Sequence, residues 1–83
     1  MKKPITVFAV YSHDYSGESG VEVFYDELDA YEFMIHDMET VIEVLKEQGY
    51  DCDSLENDDS CEVWIGNGNN IHYEWDIYES TLR

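Results

Sequence analysis

The chain reads as an α+β domain in the order β-β-α-β-β, an antiparallel sheet of about four strands packed on one helix as a two-layer sandwich. Three observations predict this. Two runs rich in β-branched and aromatic residues, Ile5–Ser12 and Val21–Tyr25, are separated by a short Ser/Gly turn. A long middle segment carries apolar residues at helical spacing. A final segment alternates apolar and polar residues behind a Gly-Asn turn.

Each element follows from its residues. Ile5–Ser12 (ITVFAVYS) has apolar residues on both faces and is expected to be central. His13–Gly20 is a turn by its Ser and Gly content, and its shortness makes Val21–Tyr25 the second arm of an antiparallel hairpin. Asp26 is the expected N-cap of the helix, with Glu27 and Asp29 in the first turn, where the helix dipole favours anions. Ala30, Tyr31, Met34, Met38, Val41, Ile42 and Leu45 fall within about 120° of one another and form the buried stripe. Gly49 is the natural residue to stop the helix.

Tyr50–Ser60 reads as an acidic loop. Cys61–Ile65 is a third strand, Gly66–Asn69 a hairpin turn and Asn70–Tyr78 a fourth strand. In the last strand Ile71, Tyr73, Trp75 and Ile77 take one face, and His72, Glu74, Asp76 and Tyr78 the other. Residues 1–83 make one small domain, without repeats or linkers.

The charge is the feature that constrains function. Twenty acidic residues face four basic ones, for a net charge of −16, and between Pro4 and Leu82 the sole lysine or arginine is Lys46. Such a chain is not drawn to nucleic acid or to an acidic membrane; it attracts proteins that bind them. Duplex DNA carries one charge per ~1.7 Å, so the net charge equals that of roughly 27 Å of duplex. A compact domain of this length is ~30 Å across. Seven Tyr, three Phe and two Trp argue for a folded chain rather than an acidic disordered one. Carboxylate repulsion narrows its stability margin, so stability is expected to rise with salt, and a homodimer would bury more apolar surface.

No run of eighteen apolar residues exists, and although the start is basic its apolar stretch is too short and ends in polar residues, so a signal peptide is not expected. Two cysteines in such a chain point to reduced thiols and a cytoplasmic location.

Sites for chemistry are weakly marked. Asp51, Asp53, Asn57, Asp59 and Glu62 follow an EF-hand count, but Leu55 and Glu56 stand where a ligand and a glycine are needed. Cys52, Cys61, His72 and His13 lack the close cysteine pair of a zinc knuckle, and Cys61 reads as a buried strand residue. His36 sits among Glu32, Glu39 and Glu43 with no nucleophile motif beside it. A non-enzymatic protein is expected, without catalytic residues, metal or cofactor.

Partner-binding candidates are the acids of the outer helix face, Asp29, Glu32, Glu39, Glu43 and Glu47, and those of the acidic loop, Asp51, Asp53, Glu56, Asp58 and Asp59. Glu74 and Asp76 on the last strand join them. Tyr15, Phe33 and Tyr78 fall off the core stripe and are candidate interface anchors, whereas Tyr31, Tyr73 and Trp75 belong to the core.

In size, charge and α+β organisation the chain resembles the small acidic proteins that phages and mobile elements direct against host defence, the anti-CRISPR and antirestriction DNA mimics. The helix and loop acids carry the resemblance, which is compositional and spans the whole chain. It implies a basic nucleic-acid-binding partner: a CRISPR effector complex, a Cas nuclease or a restriction enzyme, blocked where it reads DNA. The alternative is an immunity- or antitoxin-like module, or another acidic interaction module, that covers a basic protein.

Overall fold

The computed structural model describes residues 4–66 and 71–82. Its elements are β1 (Ile5–Asp14), β2 (Ser19–Phe24), α1 (Glu27–Glu47), β3 (Cys52–Glu56), β4 (Ser60–Ile65) and β5 (His72–Leu82). They form one antiparallel five-stranded sheet in the order β2-β1-β5-β4-β3, with the helix on one face. The architecture is α+β as expected, with one strand more than the sequence suggests. The Gly66–Asn69 turn expected between β4 and β5 includes residues 67–69, which lie outside the described residues.

The extra strand is β3, which occupies the segment expected to be an acidic loop. Its sequence, CDSLE, contains no β-branched residue and no clean alternation. Pairing with β4, from Cys52↔Ile65 to Glu56↔Cys61, imposes the extended conformation. The same pairing spreads Asp51 to Glu62 over two strands and a turn, which removes the EF-hand loop geometry. β5 also continues past Tyr78, because β1 offers it a partner along its whole length, from Asp14↔Tyr73 to Ile5↔Leu82.

β1 is an interior strand, flanked by β2 and β5, as its two-sided apolar sequence suggests, although the middle position is taken by β5. Val10 is buried on the helix side, while Val7 and Ala9 are buried on the other. Asp14 closes β1 and organises the turn: its Oδ1 accepts from the Ser16 and Glu18 backbone N–H groups and from the Ser16 hydroxyl. The Ser16 hydroxyl is the main reason the Asp14 carboxyl is held below its ordinary range. Gly17 supplies the positive φ the turn needs.

The helix is bounded as its sequence indicates. Asp26 caps it, accepting from the Leu28 and Asp29 backbone N–H groups. At the other end Gly49 has φ +88°, and the Gly49 and Tyr50 N–H groups donate to the Lys46 and Leu45 carbonyls, a Schellman ending. Ala30, Met34, Met38 and Leu45 are buried, and Tyr31, Val41 and Ile42 are half-buried against the same core. They pack on Val10, Cys61, Val63, Ile65 and Trp75. Phe33, expected as an interface anchor, is instead half-buried, its ring 5.2 Å from that of Phe24 on β2. The helix crosses the sheet far enough to reach that strand.

One polar strut joins the layers. Trp75 is 2% exposed, and its indole N–H donates to Asp37 Oδ2 at 2.8 Å. Burying an indole without an acceptor is unfavourable, so Asp37 satisfies the one polar atom that Trp75 brings into the core.

Two outcomes follow. Asp37→Ala should destabilise the fold by about 1–3 kcal/mol, because it strands a buried donor. Asp37→Asn keeps an acceptor and should cost less than half as much, as read by urea denaturation. A second concerns the thiols. Burial pushes the Cys61 thiol up to about 12, with Glu56, Asp76 and Asp37 adding to the effect. Its neutral form is favoured in the fold, so its contribution is full below the ordinary thiol range of ~8.5 and is lost as pH rises toward the folded value. At pH 8 a disulfide reagent should label half-buried Cys52 first and Cys61 only on unfolding; equal rates would contradict this packing.

Candidate functional site

The expected partner-binding residues do not converge on one surface. Asp29, Glu32, Glu39, Glu43 and Glu47 are all exposed and run along the outward side of α1. From Asp29 to Glu47 the rise is about 27 Å. One DNA strand would place about eight phosphates over that length, against five carboxylates here.

The second group surrounds β3. Asp51, Asp53, Glu56, Asp58 and Asp59 are exposed. β3 is an edge strand, paired on one side only. Charge along an open edge discourages pairing with another chain, which gives these acids a structural role of their own. Glu56 and Asp58 also lie near Tyr31, whose phenol is raised mainly by burial and further by those two carboxylates.

The third group stands on the sheet face away from the helix. Register places His13 opposite Glu74, Tyr11 opposite Asp76, Ala9 opposite Tyr78 and Glu62 opposite Glu74. Glu74 and Asp76 are half-buried, and Tyr78 is exposed with its ring edge-on to Tyr11, 5.2 Å away. Tyr15 is separate from Tyr78. It follows β1 and sets its ring edge-on to Tyr73, which faces the helix.

This open face was only partly legible in the sequence. Val21 and Val23 on β2 lie opposite Tyr11 and Ala9 and are more than half exposed. With Tyr11 and Tyr78 they form an apolar patch on one half of the face. The other half holds His13, Glu74, Asp76, Glu62 and His72, with Trp64 opposite His72 and exposed Leu55 opposite Glu62. Their alternation is visible within each strand, but the juxtaposition depends on β1 and β4 flanking β5. The considered zinc set falls apart here: Cys61 faces the helix, whereas His13 and His72 face away from it. A Cys52–Cys61 disulfide is excluded as well, because Cys52 pairs with Ile65 and Cys61 with Glu56, which puts the cysteines about 13 Å apart along the sheet.

The depressions bordering the helix and β4 are shallow, of 220, 250 and 240 Å³. Each is smaller than the usual range of about 300–1,000 Å³ for small-molecule sites.

The molecule measures 56 × 22 × 17 Å, with a radius of gyration of 14.8 Å. The compact sphere expected from length is therefore corrected to an elongated shape. Duplex DNA of that length would carry about 33 charges, so the net −16 is about half as dense as the duplex.

No carboxylate lies within ion-pair distance of a lysine or arginine among the described residues; the short contacts there between a carboxylate and a basic side chain all involve histidine. No family model, curated protein or solved structure matches the chain. No described helix is long and apolar enough to cross a membrane.

Unneutralised surface charge of one sign opposes compaction, and salt screens it. Raising salt from about 0.05 to 0.5 M shortens the Debye length from roughly 14 to 4 Å, and the thermal midpoint should rise. A falling midpoint would show that the carboxylates do not repel one another appreciably in the fold.

Proposed function

We propose that this chain is a non-enzymatic acidic decoy that occupies the basic nucleic-acid channel of a host-defence machine in the cytoplasm. A CRISPR effector complex or Cas nuclease is the first choice of target and a restriction enzyme the next. The observation that carries the reading is the row of exposed carboxylates on α1, Asp29, Glu32, Glu39, Glu43 and Glu47, with no lysine or arginine in ion-pair reach among the described residues. Glu39, Glu43 and Glu47 succeed one another at i, i+4, an arrangement that weakens an isolated helix by a few tenths of a kcal/mol per pair. A basic channel would turn that repulsion into attraction, with affinity from Arg and Lys pairing and association that is fast and salt-sensitive. The chain itself would not bind nucleic acid.

A second reading is favoured by a different observation. The exposed Tyr11, Val21, Val23 and Tyr78 patch beside Glu74 and Asp76 has no counterpart in a phosphate backbone. It suits an immunity- or antitoxin-like module that docks on a basic protein through an apolar centre with an acidic flank.

Pull-down from host lysate with elution by a salt gradient identifies the target, and competition with DNA tests the mode. For the decoy, the set Glu39→Lys/Glu43→Lys/Glu47→Lys should weaken target binding by at least about a hundredfold and restore DNA binding to the target. The set Tyr78→Ala/Val23→Ala should then have little effect. The reverse pattern, with DNA and the chain bound together, would overturn the decoy in favour of sheet-face docking.

A further inference from the structure

The acidic half of the open sheet face has a donor set that neither the decoy nor the docking reading uses. Three neighbouring strands contribute to it: His13 from β1, His72, Glu74 and Asp76 from β5, and Glu62 from β4. His13 Nε2 lies 2.8 Å from Glu74 Oε2. His72 Nε2 lies 3.0 Å from Glu62 Oε2 and 3.4 Å from Glu74 Oε1. Glu74 thus presents one carboxylate oxygen to each histidine.

The donors divide into two sets of three, His13/Glu74/Asp76 and Glu62/His72/Glu74, and within each set the ligand atoms lie within 4.8 Å of one another. Ligand atoms ~2.0–2.1 Å from a tetrahedral Zn²⁺ stand ~3.3–3.4 Å apart. The 3.4 Å His72–Glu74 spacing matches this, whereas the 2.8 and 3.0 Å contacts are of hydrogen-bond length and must lengthen by a few tenths of an ångström to admit an ion. Mixed imidazole and carboxylate donors suit zinc and its first-row neighbours better than calcium or magnesium.

The sheet supplies a separate reason for a cation here. Glu62 and Glu74 are direct cross-strand partners, an unfavourable arrangement for like charges. Asp76 adds a third carboxylate two residues from Glu74 on the same face. Among the described residues no lysine or arginine forms an ion pair with any of them.

We propose that the open sheet face is a paired site for first-row divalent cations of the Zn²⁺ class, with Glu74 shared between the ions. His13 and Asp76 complete one half, and His72 and Glu62 the other. Each ion has three protein ligands and a position open to solvent, because the donors are only partly buried. The strands fix the spacing: His13 and Glu62 lie opposite Glu74 in the register, and His72 and Asp76 flank it two residues away on the same face. The site is independent of the target-binding reading, since it needs no partner and uses none of the α1 acids.

The test is titration of the full chain with ZnCl₂ at about 0.15 M salt, by calorimetry and native mass spectrometry, where Debye screening suppresses diffuse binding. Two ions per chain are expected. His13→Ala and His72→Ala should each remove one, and Glu74→Gln should weaken both by at least about tenfold. Glu39→Gln/Glu43→Gln, which thins the helix row, should leave both ions in place. Circular dichroism checks that each variant folds.

A readout on the unaltered chain accompanies these. Zn²⁺ should protect His13 and His72 from diethylpyrocarbonate while exposed His36 stays reactive. The proposal is overturned by absence of bound Zn²⁺, by a single ion per chain, by undiminished binding in His13→Ala/His72→Ala, or by equal reactivity of the three histidines. Failure of the target pull-down would leave this result untouched, and the converse also holds.

Discussion

A single helix packs on one face of a five-stranded sheet, and the rest of the molecule is arranged around that asymmetry. Five strands at about 4.8 Å spacing span about 19 Å, whereas a helix with its side chains is about 10–12 Å wide. α1 therefore crosses one sheet face obliquely, touching every strand, and among the described residues the other face has no layer over it. Trp75, on the central strand β5, spans the interface and is fixed to the helix through Asp37. On the uncovered side, Val7 and Ala9 are buried by their own sheet neighbours rather than by a second layer. That side divides into an apolar half near β2 and a histidine–carboxylate half near β4 that Trp64 and Leu55 border.

The acids are not one population. Asp26 caps the helix, Asp14 holds a turn, and Asp37 accepts from a buried indole. The β3 acids guard an open edge. Once these local duties are assigned, with Asp29 favoured by the helix dipole in the first turn, the α1 row from Glu32 to Glu47 stands out, because no lysine or arginine pairs with it among the described residues. That row is the basis of the decoy reading, even though its charge spacing is looser than that of a DNA strand. Glu62, Glu74 and Asp76 stand apart again, since their neighbours include nitrogen donors.

How much the sequence revealed depended on the range of the interaction. The helix was legible end to end, because the Asp26 cap, the apolar stripe and Gly49 are all local. β1 announced itself as interior through its apolar residues on both faces, though the middle strand proved to be β5. β3 was hidden, because CDSLE becomes a strand only through pairing with β4. Phe33 looked like a surface anchor because its helical angle lies off the stripe, but the helix reaches Phe24 on β2. The helix-row acids were recognisable from their spacing alone. The His13–Glu74–His72 constellation was not, because it requires β1 and β4 to flank β5, and strand order is not written in any single segment.

The strand order also governs when the chain can fold. β5 lies between β1 and β4, so the two hairpin units have no shared centre until it is in place. Pairing Ile5 with Leu82 closes almost the entire length of the domain, the kind of long-range contact that slows folding. On the ribosome, β1, β2 and α1 would emerge with their apolar faces lacking their main partner, so the native sheet must assemble after β5 has been released from the exit tunnel. Folding is thereby made late and cooperative, and a chain cut before β5 would lose the centre of its sheet rather than a peripheral strand.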